Sequence, residues 1–335
     1  MRAVVLVGGF GTRLRPLTYT TPKPLLPVGH RPILEHVLSN LARGGVTDAV
    51  LSLGFKPDVF RAAYPDDTCA GVRLRYAVED EPLDTAGAIR FAAHEAGFGA
   101  ETILAVNGDV LTDLDVGALV DFHRSRGGEG TIHLTPVDDP SAFGVVPTDE
   151  RGRVTAFIEK PPRESAPTNL INAGTYVLEP GAIARIVPSG PVSIERQTFP
   201  AMVADGVLYA LATDDYWLDA GRPDLYRRAN LDVIEGRRAG VTAPPIAPDT
   251  VIDPTSTVHH SLLASGVVVG PGAEVEGTVA LPGARIGAGA KVVDSVLGFG
   301  ASVGARAELV EVVLGDDAVV ADGARLVDAK VPEPA

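Results

Sequence analysis

The chain has 335 residues, of which 45% are hydrophobic, so it can bury a full core, and its length favours two domains over one. Its formal net charge of -14 would repel the phosphate backbone of DNA or RNA, and no basic stripe with interleaved aromatic residues offsets this repulsion, so we expect no nucleic-acid partner. The single cysteine, Cys69, excludes an intrachain disulfide and a cysteine-based metal site, and it favours a reducing, cytoplasmic location.

The N-terminal segment predicts neither a signal peptide nor a membrane anchor. One basic residue, Arg2, precedes the apolar run Ala3–Val7, and Gly8 follows it. This run is too short for a signal-peptide core or a membrane span, and no later apolar run is long enough to span a membrane. We therefore expect no membrane partner.

Short apolar runs alternate with helix-like segments through about residue 211. The predicted strands are Ala3–Val7, Ala49–Leu53, Leu74–Ala77 and Ile103–Asn107. Pro32–Arg43 predicts a helix, because its apolar residues recur at helical spacing and glycines follow it. The alternation predicts an α/β, Rossmann-like fold with a mixed, mainly parallel sheet flanked by helices. Ligands bind such sheets beyond the carboxyl ends of the strands, which directs attention to the loops after Val7 and Asn107.

A change of composition marks a second domain. A predicted helix at Pro223–Arg237 is followed by a proline-rich segment, residues 241–249, so we expect domains over 1–240 and 241–335. Beyond it, three series of apolar residues step by 17: Ile252, Val269, Ile286, Val303 and Val320; Val258, Val275, Val292, Leu309 and Leu326; Leu262, Val279, Val296 and Val313. Such a repeat predicts a three-sided parallel β-helix. It resembles the left-handed hexapeptide-repeat helix with one residue missing from each coil.

The loop after the first strand predicts phosphate binding. It begins Gly8-Gly9-Phe10-Gly11-Thr12-Arg13-Leu14, and Pro22-Lys23-Pro24 follows. Glycines let the backbone approach a phosphate closely, and Arg13 and Lys23 add positive charge. The segment does not match the dinucleotide-binding fingerprint, because Leu14 occupies the position of its third glycine. The sequence also contains no match to the phosphate-binding loop GxxxxGK[ST]. Taken alone, the segment would fit a tight strand-to-helix turn equally well.

The full string GGxGTRLxPLT, with PKP shortly after, resembles the signature of the sugar-1-phosphate nucleotidyltransferases. Seven more matching stretches follow in order: Glu81–Gly87, Asn107–Asp109, Phe143–Val146, Phe157–Pro161, Ile171–Gly174, Ser193–Arg196 and Trp217–Gly221. The likeness is greatest to mannose-1-phosphate guanylyltransferases with a C-terminal left-handed β-helix. It implies an enzyme that uses Mg²⁺ to transfer a nucleoside monophosphate from a nucleoside triphosphate to a sugar 1-phosphate, releasing pyrophosphate. GTP and mannose 1-phosphate, giving GDP-mannose, are the substrates that it favours.

The same resemblance implies the roles of the charged residues. Asp109 and Asp219 become the metal ligands, which fits the habit of magnesium of binding one or two carboxylates together with substrate phosphates. Without the surrounding motifs, each aspartate would be expected to cap a turn or a helix. Arg13 is assigned to the α-phosphate and the departing pyrophosphate, Lys23 to the triphosphate and nucleophile, and Lys160 to the sugar phosphate. A sugar phosphate has a second pKa of about 6, so its oxygen needs no general base, and positioning and electrostatics carry the reaction.

The substrate pockets are implied in the same way. The sugar-phosphate site comprises Gly144, Glu159, Lys160 and Asn172. The nucleotide site comprises Gly8, Gly9, Gly11, Thr12, Glu81, Pro82, Thr85, Ala86 and Gly87. A glutamate in the stretch from Val78 to Gly87 can accept hydrogen bonds from N1–H and the amino group of guanine, whereas adenine presents an acceptor at N1, which favours GTP.

One departure leaves the substrate open. The family string usually reads Glu-Pro-Leu-Gly-Thr-Ala-Gly, but Asp84 replaces its first glycine and brings a negative charge near a polyanionic substrate. Another nucleotide, glucose 1-phosphate or a cyclitol phosphate therefore stays possible as a substrate.

Two other functions are weighed against this one. A catalytically silent regulatory subunit would be expected to lose Arg13, Lys23, Asp109 or Asp219, and all four are present. An acyltransferase would use His259 or His260 as a base, but the short helix without a looped insertion predicts an ordinary corner there. We expect the β-helix to serve assembly as a homo-oligomer, because its strand edges could be covered by a partner.

Overall fold

The computed structural model describes residues 1–54 and 57–334. The helices are α1 Ile33–Arg43, α2 Pro57–Ala63, α3 Asp84–Glu95, α4 Val116–Arg126, α5 Pro180–Ala184, α6 Phe199–Ala204 and α7 Pro223–Ile234. The strands before α7 are β1 Arg2–Leu6, β2 Pro27–Val28, β3 Arg31–Pro32, β4 Asp48–Leu53, β5 Thr68–Cys69, β6 Val72–Val78, β7 Ile103–Asn107, β8 Val110–Thr112, β9 Gly130–Pro136, β10 Gly144–Val145, β11 Ile158–Glu159, β12 Leu170–Leu178, β13 Leu208–Ala212 and β14 Trp217–Asp219.

Short strands follow α7 to the end of the chain. They are β15 Val251–Ile252, β16 Thr257–His259, β17 Leu262–Leu263, β18 Val268–Val269, β19 Glu274–Glu276, β20 Val279–Ala280, β21 Arg285–Ile286, β22 Lys291–Val293, β23 Val296–Leu297, β24 Ser302–Val303, β25 Glu308–Val310, β26 Val313–Leu314, β27 Val319–Val320, β28 Arg325–Val327 and β29 Lys330–Val331. No helix within the described residues is both long and apolar enough to cross a membrane.

The chain divides into two compact units. The first comprises Met1–Gly9 and Leu34–Trp217, and the second comprises Phe10–Ile33 and Leu218–Ala335. Most of the glycine-rich loop, with Arg13 and Lys23, therefore belongs to the same unit as the C-terminal strands.

The first unit is built on a mixed, ten-stranded sheet. Its central strands lie in the order β7, β1, β4, β6 and are all parallel, while β12 and β5 join the two sides antiparallel. Buried parallel strands need apolar side chains on both faces, and Ala3, Val4 and Val5 are all fully buried. In the register of β1 with β7, Leu6 pairs with Asn107, so the carboxyl ends of the two strands lie side by side. The predicted fold class is confirmed.

The element boundaries agree with the sequence predictions to within a few residues. β7 has the predicted bounds, and β1, β4, β6 and α1 each differ by one or two residues at an end. The larger difference is at α7, which ends at Ile234 rather than at Arg237. Gly236 takes a left-handed φ of 69° there and donates its N–H to the carbonyl of Val233, which closes the helix early.

The second unit contains the predicted β-helix. Strands β15 to β29 form three five-stranded sheets in which neighbouring strands are parallel and lie 17 residues apart in the chain, as Val251 does from Val268 and Val268 from Arg285. One edge of the helix turns through a column of left-handed residues: His260, Gly277, Asp294, Glu311 and Asp328. His260 thus occupies a corner of the repeat, where its Nε2 contacts the Glu235 carboxylate. The architecture fits the left-handed, hexapeptide type of β-helix.

Candidate active site

The start of the glycine-rich loop is packed tightly at one glycine and open at the next. A Cβ atom at Gly8 would lie 3.3 Å from the backbone nitrogen of Gly54 and 3.8 Å from Oε1 of Glu79. A Cβ atom at Gly9 would meet no protein atom within 4 Å among the described residues. The protein's own packing therefore explains why position 8 is a glycine, but not why position 9 is one.

The turn that carries Asp109 lies against the end of β1. The Gly108 N–H donates to the carbonyl of Leu6 at 2.8 Å, and a Cβ atom at Gly108 would lie 2.4 Å from Cγ1 of Val7. This close approach holds the half-buried Asp109 beside the strand end from which Gly8 follows. The first unit thus brings Asp109 together with the start of the loop.

The second unit brings together Arg13, Lys23 and Asp219. The Lys23 side chain is only 6% exposed, and its ammonium lies 2.7 Å from Oδ1 of Asp219. The Arg13 guanidinium is 68% exposed and lies 3.7 Å from Oδ2 of the same carboxylate. Gly11, at a left-handed φ of 60°, accepts a 2.7 Å hydrogen bond from the Thr18 hydroxyl, which shapes the turn before Thr12–Leu14. Both predicted catalytic cations therefore meet one of the two predicted metal ligands.

Three of the predicted sugar-phosphate residues are in contact in the first unit. Gly144 pairs with Glu159 across β10 and β11, and a Cβ atom at Gly144 would lie 3.2 Å from Oε2 of Glu159. The Lys160 ammonium lies 3.3 Å from Oε1 of Glu159, and the Lys160 N–H donates to the carbonyl of Phe143. The half-exposed lysine and the partly buried glutamate thus form one polar cluster beside the buried Gly144, whose Cβ position faces the Phe157 ring at 2.8 Å.

Asn172 completes this side of the unit. Val145 pairs with Ile171 across antiparallel β10 and β12, so Gly144 and Asn172 are the next neighbours on those strands. The Asn172 amide donates to the Tyr176 hydroxyl at 2.9 Å, and its oxygen accepts from the Gly174 N–H at 3.0 Å. Burial raises the pKa of Tyr176, so its hydroxyl stays protonated. The asparagine is therefore fixed in orientation at both ends.

Asp84 begins α3 in a conformation that explains the family's usual glycine. Its φ is 57°, in the left-handed region that glycine adopts without strain and aspartate tolerates better than most residues. Its carboxylate is exposed and accepts a 2.7 Å hydrogen bond from the Thr85 N–H. The substitution therefore keeps the turn and adds an exposed charge.

The predicted nucleotide-binding segment splits into exposed and internally bonded parts. Glu81 and Pro82 are exposed, whereas Ala86 and Gly87 are buried and donate their backbone N–H groups to the carbonyl of Val192. A cleft of about 430 Å³ borders this segment, with a wall that includes Glu79, Glu81, Leu83, Gly87 and residues 187–190. The first unit thus places the exposed part of the segment at an open cleft.

Two carboxylates in this region were not among the predicted site residues. Glu79, one residue beyond β6, accepts hydrogen bonds from the Ser52 hydroxyl at 2.8 Å and the Leu83 N–H at 3.0 Å. Glu195, in a π-helical turn at Ile194–Thr198, accepts from the hydroxyl of Thr85 at 2.8 Å. An acidic residue just after a parallel strand is a signal that could have found Glu79, whereas nothing local in the sequence pairs Glu195 with Thr85.

A larger cavity, of about 770 Å³, lies in the second unit beside α7 and the β-helix. Its lining is rich in carboxylates, with Asp224, Asp294, Glu311 and Asp328. The lining also contains two cations, Arg227 and Lys330, and the Arg227 guanidinium is paired with Asp294 at 2.6 Å. We do not assign this cavity to a phosphate-bearing substrate, because its walls would repel one.

Asp109 belongs to the first unit and Asp219 to the second. Next to Asp109, Gly108 contacts Leu6 and Val7, whereas Asp219 contacts Arg13 and Lys23.

Comparison with known proteins places these features in a family. The family model described as nucleotidyl transferase matches residues 2–236. A mannose-1-phosphate guanylyltransferase of Mycobacterium tuberculosis is 46% identical over 237 residues, which cover 70% of this chain and 65% of that protein. A mannose-1-phosphate guanyltransferase of Aspergillus fumigatus is 39% identical over 269 residues, covering 77% of this chain and 73% of its own.

A solved structure shows the same likeness. HddC from Yersinia pseudotuberculosis, complexed with GMP-PN, superposes with a TM-score of 0.59 at 30% identity over 68% of this chain and 97% of that one. The alignment with the mycobacterial relative spans less than two thirds of that protein's length. The match to the family model covers well over half of the chain, and the chain belongs to the nucleotidyl transferase family.

Proposed function

We propose that this protein transfers a nucleoside monophosphate from a nucleoside triphosphate to a sugar 1-phosphate and releases pyrophosphate. The observation that carries the proposal is the cluster in which Arg13 and Lys23, from the glycine-rich loop, converge on Asp219. Two cations and a carboxylate are what an in-line displacement between polyanions needs, because catalysis there is mainly positioning and charge stabilisation. We propose GTP and mannose 1-phosphate as the substrates, in keeping with the names of the relatives.

The two cations have different exposures and therefore different roles. Lys23 is buried and pinned by Asp219, so it presents a fixed charge to the triphosphate. Arg13 is mostly exposed, so its guanidinium can move to the α-phosphate and to the departing pyrophosphate. A planar guanidinium offers several donors to phosphate oxygens, which suits charge that develops on more than one oxygen.

Asp109 and Asp219 are proposed to hold Mg²⁺. The donor set fits a hard cation, because both side chains are carboxylates and Asp219 keeps 22% of its side chain exposed even with Lys23 in contact. When bound by these carboxylates, Mg²⁺ would supply positive charge that offsets part of the charge of the phosphates. Asp219 would then share its charge between the metal and Lys23, which ties the position of the lysine to the occupancy of the metal site.

The sugar phosphate is proposed to bind at Gly144, Glu159, Lys160 and Asn172. Glu159 offers acceptors for sugar hydroxyls, and it lies beside Gly144, where a Cβ atom would come within 2.8 Å of the Phe157 ring. Lys160 supplies a half-exposed ammonium for the phosphate. Because Asn172 is held by Tyr176 and Gly174, it would meet the sugar without losing rotamer freedom on binding.

The nucleotide is proposed to bind along the loop and the α3 segment. Gly8, Gly9, Gly11 and Thr12 would lie along the phosphates, and Glu81 and Pro82 would contact the base. Thr85, Ala86 and Gly87 hold that segment in place, because the Thr85 hydroxyl donates to Glu195 and the N–H groups of Ala86 and Gly87 donate to the carbonyl of Val192. The base preference for guanine rests on a carboxylate acceptor in this stretch.

We propose a homo-oligomer built through the β-helix. One outward column of the β16-β19-β22-β25-β28 sheet alternates in charge as Glu274, Lys291, Glu308 and Arg325, with ion pairs of 3.3 and 3.4 Å within it. A second copy docked antiparallel about a two-fold axis would set Lys291 opposite Glu308, and Glu274 opposite Arg325. Lys291→Glu should then weaken association in light scattering, and Lys291→Glu with Glu308→Lys should restore it. A monomeric wild-type chain would contradict the proposal.

We also propose a catalytic domain over residues 1–240 with a β-helix domain over 241–335, and a cytoplasmic location. The location is supported by the cysteine content, because the single Cys69 allows no intrachain disulfide.

The experiment is a matrix of pyrophosphate release with Mg²⁺. GTP, ATP, UTP and dTTP are crossed with mannose 1-phosphate, glucose 1-phosphate and a cyclitol phosphate, with Arg13→Ala as the inactive control. We expect GTP with mannose 1-phosphate to give the highest kcat/KM. Another pair would keep the reaction and correct the substrate, and release with no pair would favour a silent regulatory subunit.

A further inference from the structure

The glycine-rich loop is bound to the β-helix within the second unit. The Thr20 hydroxyl donates a hydrogen bond to the Asp316 carboxylate, which lies just after β26. Beside it, a Cβ atom at Gly315 would come within 3.0 Å of Cβ of Pro16, so the backbone of the coil and the proline ring are in close contact. Residues 16–20 therefore rest on one coil of the β-helix.

Asp316 is itself held firmly. Its Oδ1 accepts a 3.1 Å hydrogen bond from the Phe299 N–H of the preceding coil, which leaves Oδ2 for Thr20. The neighbouring Gly315 N–H donates to the carbonyl of Val331 in the next coil at 2.7 Å. The carboxylate is thus fixed between coils, and coils of a β-helix cannot shift singly because each is bonded to both neighbours.

The far end of the same segment is fixed to α7. The Tyr226 hydroxyl donates to the carbonyl of Pro27 at 2.5 Å, and the Gly29 N–H donates to Oδ1 of the buried Asn230 at 3.0 Å. Lys23 lies between these two attachments.

We propose that Asp316 is a positioning residue for the reaction: through Thr20 it fixes the segment that carries Lys23, and with it the adjacent Arg13, in the geometry that phosphate transfer requires. This inference rests on the proposed function. It gives the β-helix a part in catalysis that needs no ligand of its own. Displacing a charged group by about 1 Å can lower the rate about 100-fold, so loss of the single hydrogen bond between Thr20 and Asp316 can have a large effect on kcat.

The test uses a matched pair of variants. Asp316→Ala removes the bond to Thr20 and the cap on Phe299. Asp322→Ala removes the equivalent 2.8 Å cap on the Ala305 N–H, and among the described residues Asp322 makes no hydrogen bond to the loop. We expect Asp316→Ala to lower kcat by about 10- to 100-fold while KM for the sugar 1-phosphate changes by less than about threefold. Asp322→Ala should keep the wild-type kcat, although both variants should lose similar thermal stability.

A second variant and a second measurement distinguish a loss of positioning from a general loss of folding. Thr20→Val removes the exposed hydroxyl alone, should lower kcat in the same way, and should add nothing when combined with Asp316→Ala. Amide hydrogen exchange of residues 12–25 should rise in both variants but not in Asp322→Ala. Equal kcat and equal exchange in Asp316→Ala and Asp322→Ala would overturn the inference. A wild-type chain without activity would refute the proposed function instead, and the exchange comparison would still decide the role of Asp316.

Discussion

Substitution of Gly9 by alanine separates a glycine needed for folding from one needed for a ligand. A Cβ atom at this position would touch no described protein atom within 4 Å, and Gly9 is not among the glycines with a left-handed φ. Alanine there should therefore leave the fold intact. Because it also restricts the unfolded chain, it should raise the free energy of unfolding by about 0.4–1 kcal/mol.

The effect on nucleotide binding should be large and opposite. If a phosphate lies against this backbone, the new methyl group pushes it away from the loop and breaks at least one charge-assisted hydrogen bond. Such a bond contributes about 1.5–3 kcal/mol, so GTP affinity should fall by about 10- to 100-fold. Stability and affinity thus move in opposite directions, which no general loss of structure would produce.

The assay pairs isothermal titration with GTP and Mg²⁺ against chemical denaturation of the same samples. Gly99→Ala is the matched control, since a Cβ atom at Gly99 also meets nothing within 4 Å and its φ is also outside the left-handed region. It should raise the free energy of unfolding by a similar amount, about 0.4–1 kcal/mol, and leave GTP affinity unchanged. Wild-type GTP affinity in Gly9→Ala, or a loss of more than about 2 kcal/mol in stability, would refute this reasoning.

Three further outcomes follow from buried polar groups. Lys23→Met leaves the Asp219 carboxylate without its 2.7 Å cation and should lower the free energy of unfolding by about 2 kcal/mol in denaturant titration, with much of it regained when Asp219→Asn is added. Burial lowers the pKa of His133 from 6.5 to about 4, so between these pH values only the unfolded chain binds this proton. The free energy of unfolding should therefore fall by about 2 kcal/mol from pH 7 to pH 5, and His133→Gln should remove that part of the pH dependence. Thr85→Val removes the hydroxyl that donates to Glu195 and accepts from the Ile194 N–H, so the free energy of unfolding should fall by about 1–3 kcal/mol. An unchanged melting temperature would show that these hydrogen bonds do not stabilise the fold.

The sequence predicts the repeating parts of the fold well, because their information is local. The apolar runs of the central strands and the 17-residue step of the β-helix each depend on neighbours in the chain or on a fixed period. The early end of α7 at Ile234 was missed, since Arg237 continues a helix-like pattern and only the left-handed Gly236 ends it.

The site is predictable in part for a related reason. The sequence motifs identify Lys23 and Asp219 as site residues but do not predict their 2.7 Å contact. These residues are 196 positions apart, so the contact depends on tertiary packing. The same holds for Thr85 with Glu195, and for Thr20 with Asp316. Asp84 could be recognised as a departure from the family string, whereas its left-handed φ of 57° needed the structure.

The most direct test of the central claim follows two phosphorus labels. The protein is incubated with Mg²⁺, mannose 1-phosphate and GTP labelled at either the α- or the γ-phosphate. Nucleotidyl transfer predicts the α-label in GDP-mannose and the γ-label in pyrophosphate, in equal amounts, with neither product formed by the Arg13→Ala variant. Release of the γ-label as orthophosphate, or α-label that never joins a sugar with any acceptor, would contradict the account.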